Sequence, residues 1–340
     1  MDEYNFDYLC MNCMEFKPSA AYPCPHCGFD LRKYKQEQSD YYLPPETILN
    51  GKYLVGVVLG EGALETTYLA YDLNLHTKAA IKEYCPQNLT VRNTKQNLCV
   101  YPRWGGRTEE MYFYGLRYFI DGARKLANLD VFEGIVYVRD YFEENNTAYF
   151  VMNYAEGKNL ERYLNEAGGK LSVKETLGIM ESVIMALGQV HRAGIFHGAV
   201  SPENIMISEN GQVNLINLGA ASKSAINEKY DVIIDIKHGY APMEQYIKSK
   251  EKGPWTDVYA ICATIYRCLT GYDPASAIDR IVEEQLSPLK EFGVDVDRKW
   301  ENKLKKGLAV RMEERYQDMD SLYQALYSEM TVKKEKPRGR

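Results

Sequence analysis

Four of the eight cysteines fall into two knuckles, Cys10-x-x-Cys13 and Cys24-Pro-His-Cys27, with ten residues between them. Two such knuckles bring four thiolates into a tetrahedron, the arrangement that Zn²⁺ favours without redox chemistry. A disulfide pair is the competing reading, and it belongs to exported chains. Met1-Asp2-Glu3 is acidic and no apolar stretch follows it, so no secretory signal is expected. With cysteine at all four positions no place is left for a catalytic water, and the zinc is expected to be structural. His26 lies between two ligands and is not counted with them; Cys85, Cys99, Cys262 and Cys268 share no such spacing.

A second constellation lies at 196–219. It reads Phe196-His197-Gly198-Ala199-Val200-Ser201-Pro202-Glu203-Asn204-Ile205-Met206-Ile207, and ends in Asn217-Leu218-Gly219. This run resembles the catalytic core of the eukaryotic-like bacterial Ser/Thr protein kinase family, where His-Arg-Asp, four residues, Asn and then Asp-Phe-Gly recur. In that family one Asp orients the attacking hydroxyl and the other holds Mg²⁺. Here the spacing is kept and both acids are missing: Ala199 stands at the first position and Asn217 at the second, while Asn204 stays in register. Gly198 replaces the Arg that often reads activation-segment phosphorylation, and Ser201 stands where many members carry a phosphate-contacting Lys.

The elements that must position these residues can be read on either side. Strands at 53–59 and 67–71 flank Gly60-Glu61-Gly62-Ala63-Leu64-Glu65, and a third at 77–83 carries Ala79-Ala80-Ile81-Lys82. The resemblance implies that Gly60 and Gly62 let the backbone close over phosphates and that Lys82 binds them. Glu65 replaces a third glycine, and a carboxylate there would repel a nucleotide if it pointed inward. Residues 109–129 show helical spacing through Leu116, Phe119, Ile120, Ala123, Leu126 and Ala127. In Phe119-Ile120-Asp121-Gly122-Ala123-Arg124 the family's lysine-pairing Glu is replaced by Gly122. Asp121 is turned about 100° away around the helix, so Lys82 is expected to lack its usual partner. An irregular insertion at 83–107, with Pro86, Pro102 and Gly105-Gly106, receives no role from the sequence.

A hairpin at 135–142 and 147–152 turns at Glu144-Asn145-Asn146 and leads to Met152-Asn153-Tyr154-Ala155, which match a gatekeeper and an adenine-binding hinge. A helix at 173–193 places Leu177, Met180, Ile184, Leu187 and His191 on one face and delivers the chain to His197, a structural histidine in the resemblance. After Gly219 follows an activation-segment-like stretch with Ser222, Ser224 and Tyr230 as its candidate phosphorylation positions. It closes on Ala241-Pro242-Met243-Glu244. Asp257 matches the buried acid that ties the next helix to the catalytic loop, and Arg315 matches the partner of Glu244. A last helix is expected at 319–330.

The chain has a net charge of −6 and a pI near 5.6, which argues against a nucleic-acid-binding surface. Its longest apolar run, 258–269, contains Arg267 and falls short of the roughly 20 residues that span a bilayer. No transmembrane segment and a cytoplasmic location are therefore expected.

These readings combine into an α+β chain: a four-cysteine zinc ribbon at 1–30, a linker at 31–48, a two-lobed protein kinase-like domain at 49–330 and a basic tail at 331–340. The ribbon alone is too short to bury a core and should fold around its metal. The expected function is that of a catalytically impaired, pseudokinase-type signalling or scaffold protein that binds a protein partner. ATP is a candidate ligand of Gly60, Gly62, Lys82 and Asn204, and Mg²⁺ binding is expected to be weak or absent. The alternative is a Ser/Thr protein kinase with residual or unconventional phosphotransfer, in which Asn204, Asn217 and Lys82 suffice or Glu203 takes over as base.

Overall fold

Apolar side chains alternate along the first strands so densely that both faces of their sheet demand cover. The computed structural model describes residues 6–128, 133–218, 236–247 and 251–328. It divides into two units, one holding the residues up to 128 together with 137–154, the other 133–136 together with the rest. Ser222, Ser224, Tyr230 and the basic tail lie outside the described residues.

In the first unit β1 (Ile48–Leu49), β2 (Tyr53–Glu61), β3 (Glu65–Asp72) and β4 (Thr77–Tyr84) join β7 (Val138–Glu144) and β8 (Thr147–Asn153) in a six-stranded sheet of order β1-β2-β3-β4-β8-β7, every pair antiparallel. Asn145 and Asn146 both take positive φ, 53° and 58°, the geometry of a tight two-residue hairpin turn. One face of the sheet buries Tyr53, Val55, Tyr68, Ala70, Ile81 and Val151. The other presents Leu54, Val57, Leu69 and Tyr71, and these pack against Leu9, Met11, Met14 and Leu31 from the cysteine-bearing segment.

The expected ribbon is thus no detached module; it shares its core with the sheet. A bulge at Gly56 and Val57 seats it. The Val57 N–H donates to the Met11 carbonyl at 3.0 Å, and a Cβ added to Gly56 would lie 2.3 Å from that oxygen. The stretch read as a linker carries helix α1 (Leu31–Glu37), capped by the Asp30 side chain, and sends Leu43 into the sheet core. The insertion forms a small hairpin of β5 (Thr90–Val91) and β6 (Tyr101–Pro102). Helix α2 (Gly106–Ala127) follows it; Phe119 packs at 5.6 Å from the Tyr84 ring and 4.9 Å from that of Phe150.

The second unit is mostly helical. It contains α3 (Leu160–Glu166), α4 (Val173–Arg192), α5 (Met243–Tyr246), α6 (Pro254–Thr270), α7 (Ala277–Val282), α8 (Arg298–Gly307) and α9 (Met319–Tyr327). A small sheet of β9 (Lys158–Asn159), β10 (Ile205–Ile207) and β11 (Val213–Leu215) completes it. A reciprocal cap between Ser172 and Glu175 starts α4. Leu177, Met180, Ile184 and Leu187 of that helix are buried against α6, whose side chains from Thr256 to Thr270 are all buried. Arg267 within α6 is matched by Glu161 at 3.0 Å and by the Gly169 carbonyl at 2.9 Å, so its charge fits a protein interior. No helix among the described residues is long and apolar enough to cross a membrane.

Candidate functional site

Helix α4 ends at Arg192, and the loop after it is held by one carboxylate from α6. Asp257 accepts the backbone N–H of His197 at 2.8 Å and that of Gly198 at 2.7 Å, with His191 Nε2 also at 2.8 Å. Burial opposes ionisation of Asp257, yet the His191 ring and the backbone donors of the loop hold its pKa below the ordinary carboxylate value. The His197 Nε2–H donates to the Ile216 carbonyl at 2.8 Å, and its Nδ1 accepts the Ala199 N–H at 3.2 Å. That arrangement selects the neutral tautomer protonated on Nε2 and joins the 197–204 loop to the segment after β11.

Along this loop the structure brings together Ala199, Asn204 and Asn217. Asn217 Nδ2 donates to Asn204 Oδ1 at 2.7 Å, and Asn204 Nδ2 donates to the Ala199 carbonyl at 2.7 Å. Asn217 adopts φ 65°, a left-handed backbone that asparagine tolerates better than most residues. The result is a relay of neutral amides where the family resemblance places two carboxylates. Amide oxygens are weaker ligands than carboxylates for a hard cation, and one lone pair of Asn204 Oδ1 is already engaged. Glu203, the candidate substitute base, pairs with Lys237 at 2.7 Å. Glu203 is exposed and Lys237 only partly covered, so that pair adds little stability. Gln245, which carried no sequence signal, clamps the loop from α5 by donating to the Gly198 carbonyl at 2.7 Å.

Within the first unit Lys82 has no helix partner, as the sequence led one to expect, but it does meet a carboxylate from another element. Gly122 in α2 has no side chain to offer, and the nearby Asp121 faces Arg124 at 3.5 Å. The partner is Glu65, whose Oε1 lies 2.7 Å from Lys82 Nζ, both side chains being buried. Strand register explains it: Glu65 stands opposite Tyr84, the last residue of β4, and Lys82 lies two residues before Tyr84 on the same face. Gly60 of β2 pairs with Thr67 of β3, and the Gly62 N–H donates to the Glu65 carbonyl at 2.8 Å. A Cβ on Gly60 would meet nothing within 4 Å, so protein packing does not demand glycine there.

Glu83, one residue on, faces the opposite side of β4 into the sheet core. Arg92 from the insertion binds it through two hydrogen bonds, 2.6 and 2.9 Å, and Tyr149 and Tyr68 donate their hydroxyls at 2.7 and 3.0 Å. The Arg92 Nε–H donates to the Tyr41 carbonyl at 2.5 Å. Burial works against the Arg92 charge, but the adjacent Glu83 outweighs it and raises the guanidinium pKa. The insertion therefore anchors the strand that carries Lys82. The only sequence hint was an Arg within an irregular loop, which by itself reads as a solvated charge.

Cys10, Cys13, Cys24 and Cys27 converge, all four Sγ atoms lying within 4.8 Å of one another. Cys10 and Cys27 are 3.7 Å apart, Cys13 and Cys24 3.9 Å. A tetrahedral ion with bonds of about 2.3 Å to sulfur sets its ligands about 3.8 Å apart, whereas a disulfide needs about 2 Å. The thiols fit the ion. Burial raises the pKa values of the Cys10 and Cys13 thiols, whereas at Cys24 the backbone N–H groups of Cys27 and His26 outweigh burial and lower it.

Farther along the second unit, Glu244 and Arg315 form the expected pair. Two hydrogen bonds of 2.7 and 3.1 Å link the buried side chains, and the Thr256 hydroxyl donates to Glu244 at 2.9 Å.

The profile of the protein kinase domain matches residues 115–338. The serine/threonine-protein kinase PrkC of Bacillus subtilis is 26% identical over 287 residues, 81% of this chain and 40% of PrkC. The serine/threonine-protein kinase PknL of Mycobacterium tuberculosis is 27% identical over 229 residues, 67% of this chain and 51% of PknL. The chain thus spans about half or less of the length of these curated relatives. Among solved structures, the apo form of PpkA-294 matches with a TM-score of 0.74 and 30% identity, covering 85% of this chain and 100% of that one.

Proposed function

The chain belongs to the protein kinase family, and from that premise we propose that it is a catalytically impaired member acting as a signalling or scaffold protein through a protein partner. The observation that carries this reading is the amide relay from Asn217 through Asn204 to Ala199. Phosphoryl transfer relies on positioning and on charge at the metal ions. Ala199 has no side-chain acceptor for a substrate hydroxyl, and general-base assistance is worth about 10²–10⁴ in rate. Asn217 offers Mg²⁺ a neutral oxygen in place of a charged one. Lys82, the residue expected to meet phosphates, is held by Glu65, so a nucleotide at Gly60, Gly62 and Lys82 competes with a carboxylate already in place.

Cys10, Cys13, Cys24 and Cys27 are assigned as ligands of a structural zinc, which supplies folding energy and no open coordination position. A thiolate cluster of this kind suits a reducing compartment, in keeping with a cytoplasmic protein.

The second reading, residual phosphotransfer, draws support from the relatives, which are named serine/threonine-protein kinases. Incorporation of labelled phosphate by wild type and Lys82→Ala separates the two. No labelling above the Lys82→Ala background is the expected result; labelling by wild type alone would overturn the impaired reading. Thermal shift with ATP, with and without Mg²⁺, is the companion measurement. Metal-independent stabilisation is expected if the pocket senses nucleotide without chemistry.

A further inference from the structure

The insertion that anchors β4 also builds a groove on the first unit. Its volume is about 1020 Å³, and it runs between β6, the start of α2 and the turn joining β7 to β8. Val100 and Tyr112 are buried at its base. Both are tied to the turn: the Val100 N–H donates to the Asn145 carbonyl at 2.9 Å, and the Tyr112 hydroxyl donates to the Asn146 carbonyl at 2.7 Å. The floor is therefore preformed. The rim is unlike an ordinary surface: Trp104 is fully exposed and Phe113 49% exposed. Trp in such a position is the residue type most enriched at binding hot spots.

Charge selects the occupant. The carboxylates of Glu109 and Glu143 line the groove and form no ion pair or hydrogen bond among the described residues, while that of Glu144 accepts the Asn50 N–H at 2.8 Å. The one cation in the lining, Arg103, is turned to the Gln87 carbonyl at 3.4 Å. An aromatic-edged groove with two uncommitted carboxylates complements an apolar anchor between positive charges. We propose that this groove docks a segment of a partner protein in which one large apolar side chain is flanked by Lys or Arg. This deepens the partner-binding reading, and the two fail separately, since phosphate incorporation does not depend on the groove.

The test is selection of phage-displayed random dodecapeptides against the full zinc-loaded chain. Enrichment of clones with a Leu, Phe, Met or Trp anchor between basic residues is expected. Trp104→Ser and the Glu109→Lys/Glu143→Lys double variant should each weaken the selected peptides by about tenfold or more, with melting temperatures unchanged because these side chains lie at the surface. No enrichment, an acidic consensus, or equal binding to Trp104→Ser would overturn the proposal. So would self-association that Trp104→Ser abolishes, because the occupant would then be a second copy of the chain.

Discussion

Asn217 donates its amide N–H to the side-chain oxygen of Asn204 at 2.7 Å, so two groups that would face a metal ion in an active relative face each other. Replacing one amide by a carboxylate removes the donor and restores a hard anionic ligand. Asn217→Asp is expected to acquire an ATP-induced thermal shift that requires Mg²⁺, absent from wild type. Adding Ala199→Asp should raise phosphate incorporation by about 10²-fold or more. An unchanged Mg²⁺ response in both variants would show that the amide relay is not what limits the site.

Glu65 competes with any phosphate for Lys82. Glu65→Gln keeps the shape and removes the charge. ATP is expected to stabilise the variant more than wild type, by an amount matching about tenfold tighter binding. Calorimetric titration in EDTA, with Lys82→Ala as the control, checks this.

The Glu83 and Arg92 pair tests the insertion's structural role. Arg92→Met leaves a buried carboxylate without its cation, a loss of about 3–5 kcal/mol, and Glu83→Gln added to it should recover much of that loss. Denaturant unfolding of both variants measures the difference. If the double variant is no more stable than the single one, the insertion holds β4 by something other than this charge.

Removal of the zinc proposed for the four thiols should reach beyond the cysteines, because Met11 and Met14 pack on β2 and β3. Chelation or Cys24→Ser is expected to lower hydrogen-exchange protection in 53–72 as well as in 6–30. Gly56→Ala, which brings a Cβ against the Met11 carbonyl, should cost about 1–3 kcal/mol with the cysteines intact.

Acid should act through Asp257, whose folded-state pKa is lowered. A depressed carboxylate pKa contributes stability above its unfolded value of about 3.9, and that contribution fades as the pH falls through the folded value. The stability gap between wild type and Asp257→Asn is therefore expected to be full at neutral pH and to close as the pH falls below about 4. A gap that widens on acidification would contradict the assignment.

Much of the second unit is legible in the sequence alone. Ala199, Asn204, Asn217, Glu244, Asp257 and Arg315 keep an order and spacing whose roles are set by residue type, and the pairs Glu244 with Arg315 and Asp257 with the His197 loop form as that order implies. Helix α4 was equally plain, since its apolar period matches the face it buries.

The sequence by itself determined which chemical groups the chain carries and which it lacks: four thiols at metal-binding spacing, and no carboxylate at 199 or 217. Only the tertiary structure decided what those groups meet. Cross-strand register, a long-range property of the sheet, gave Lys82 the carboxylate of Glu65 in place of the missing helix partner. Arg92 and Trp104 share one irregular insertion, where no periodicity tells inside from outside; one is sealed beneath the sheet and the other stands fully in solvent. The cysteine segment rests on β2 because a glycine at a bulge admits another backbone there, a matter of close contact that residue type and spacing do not record.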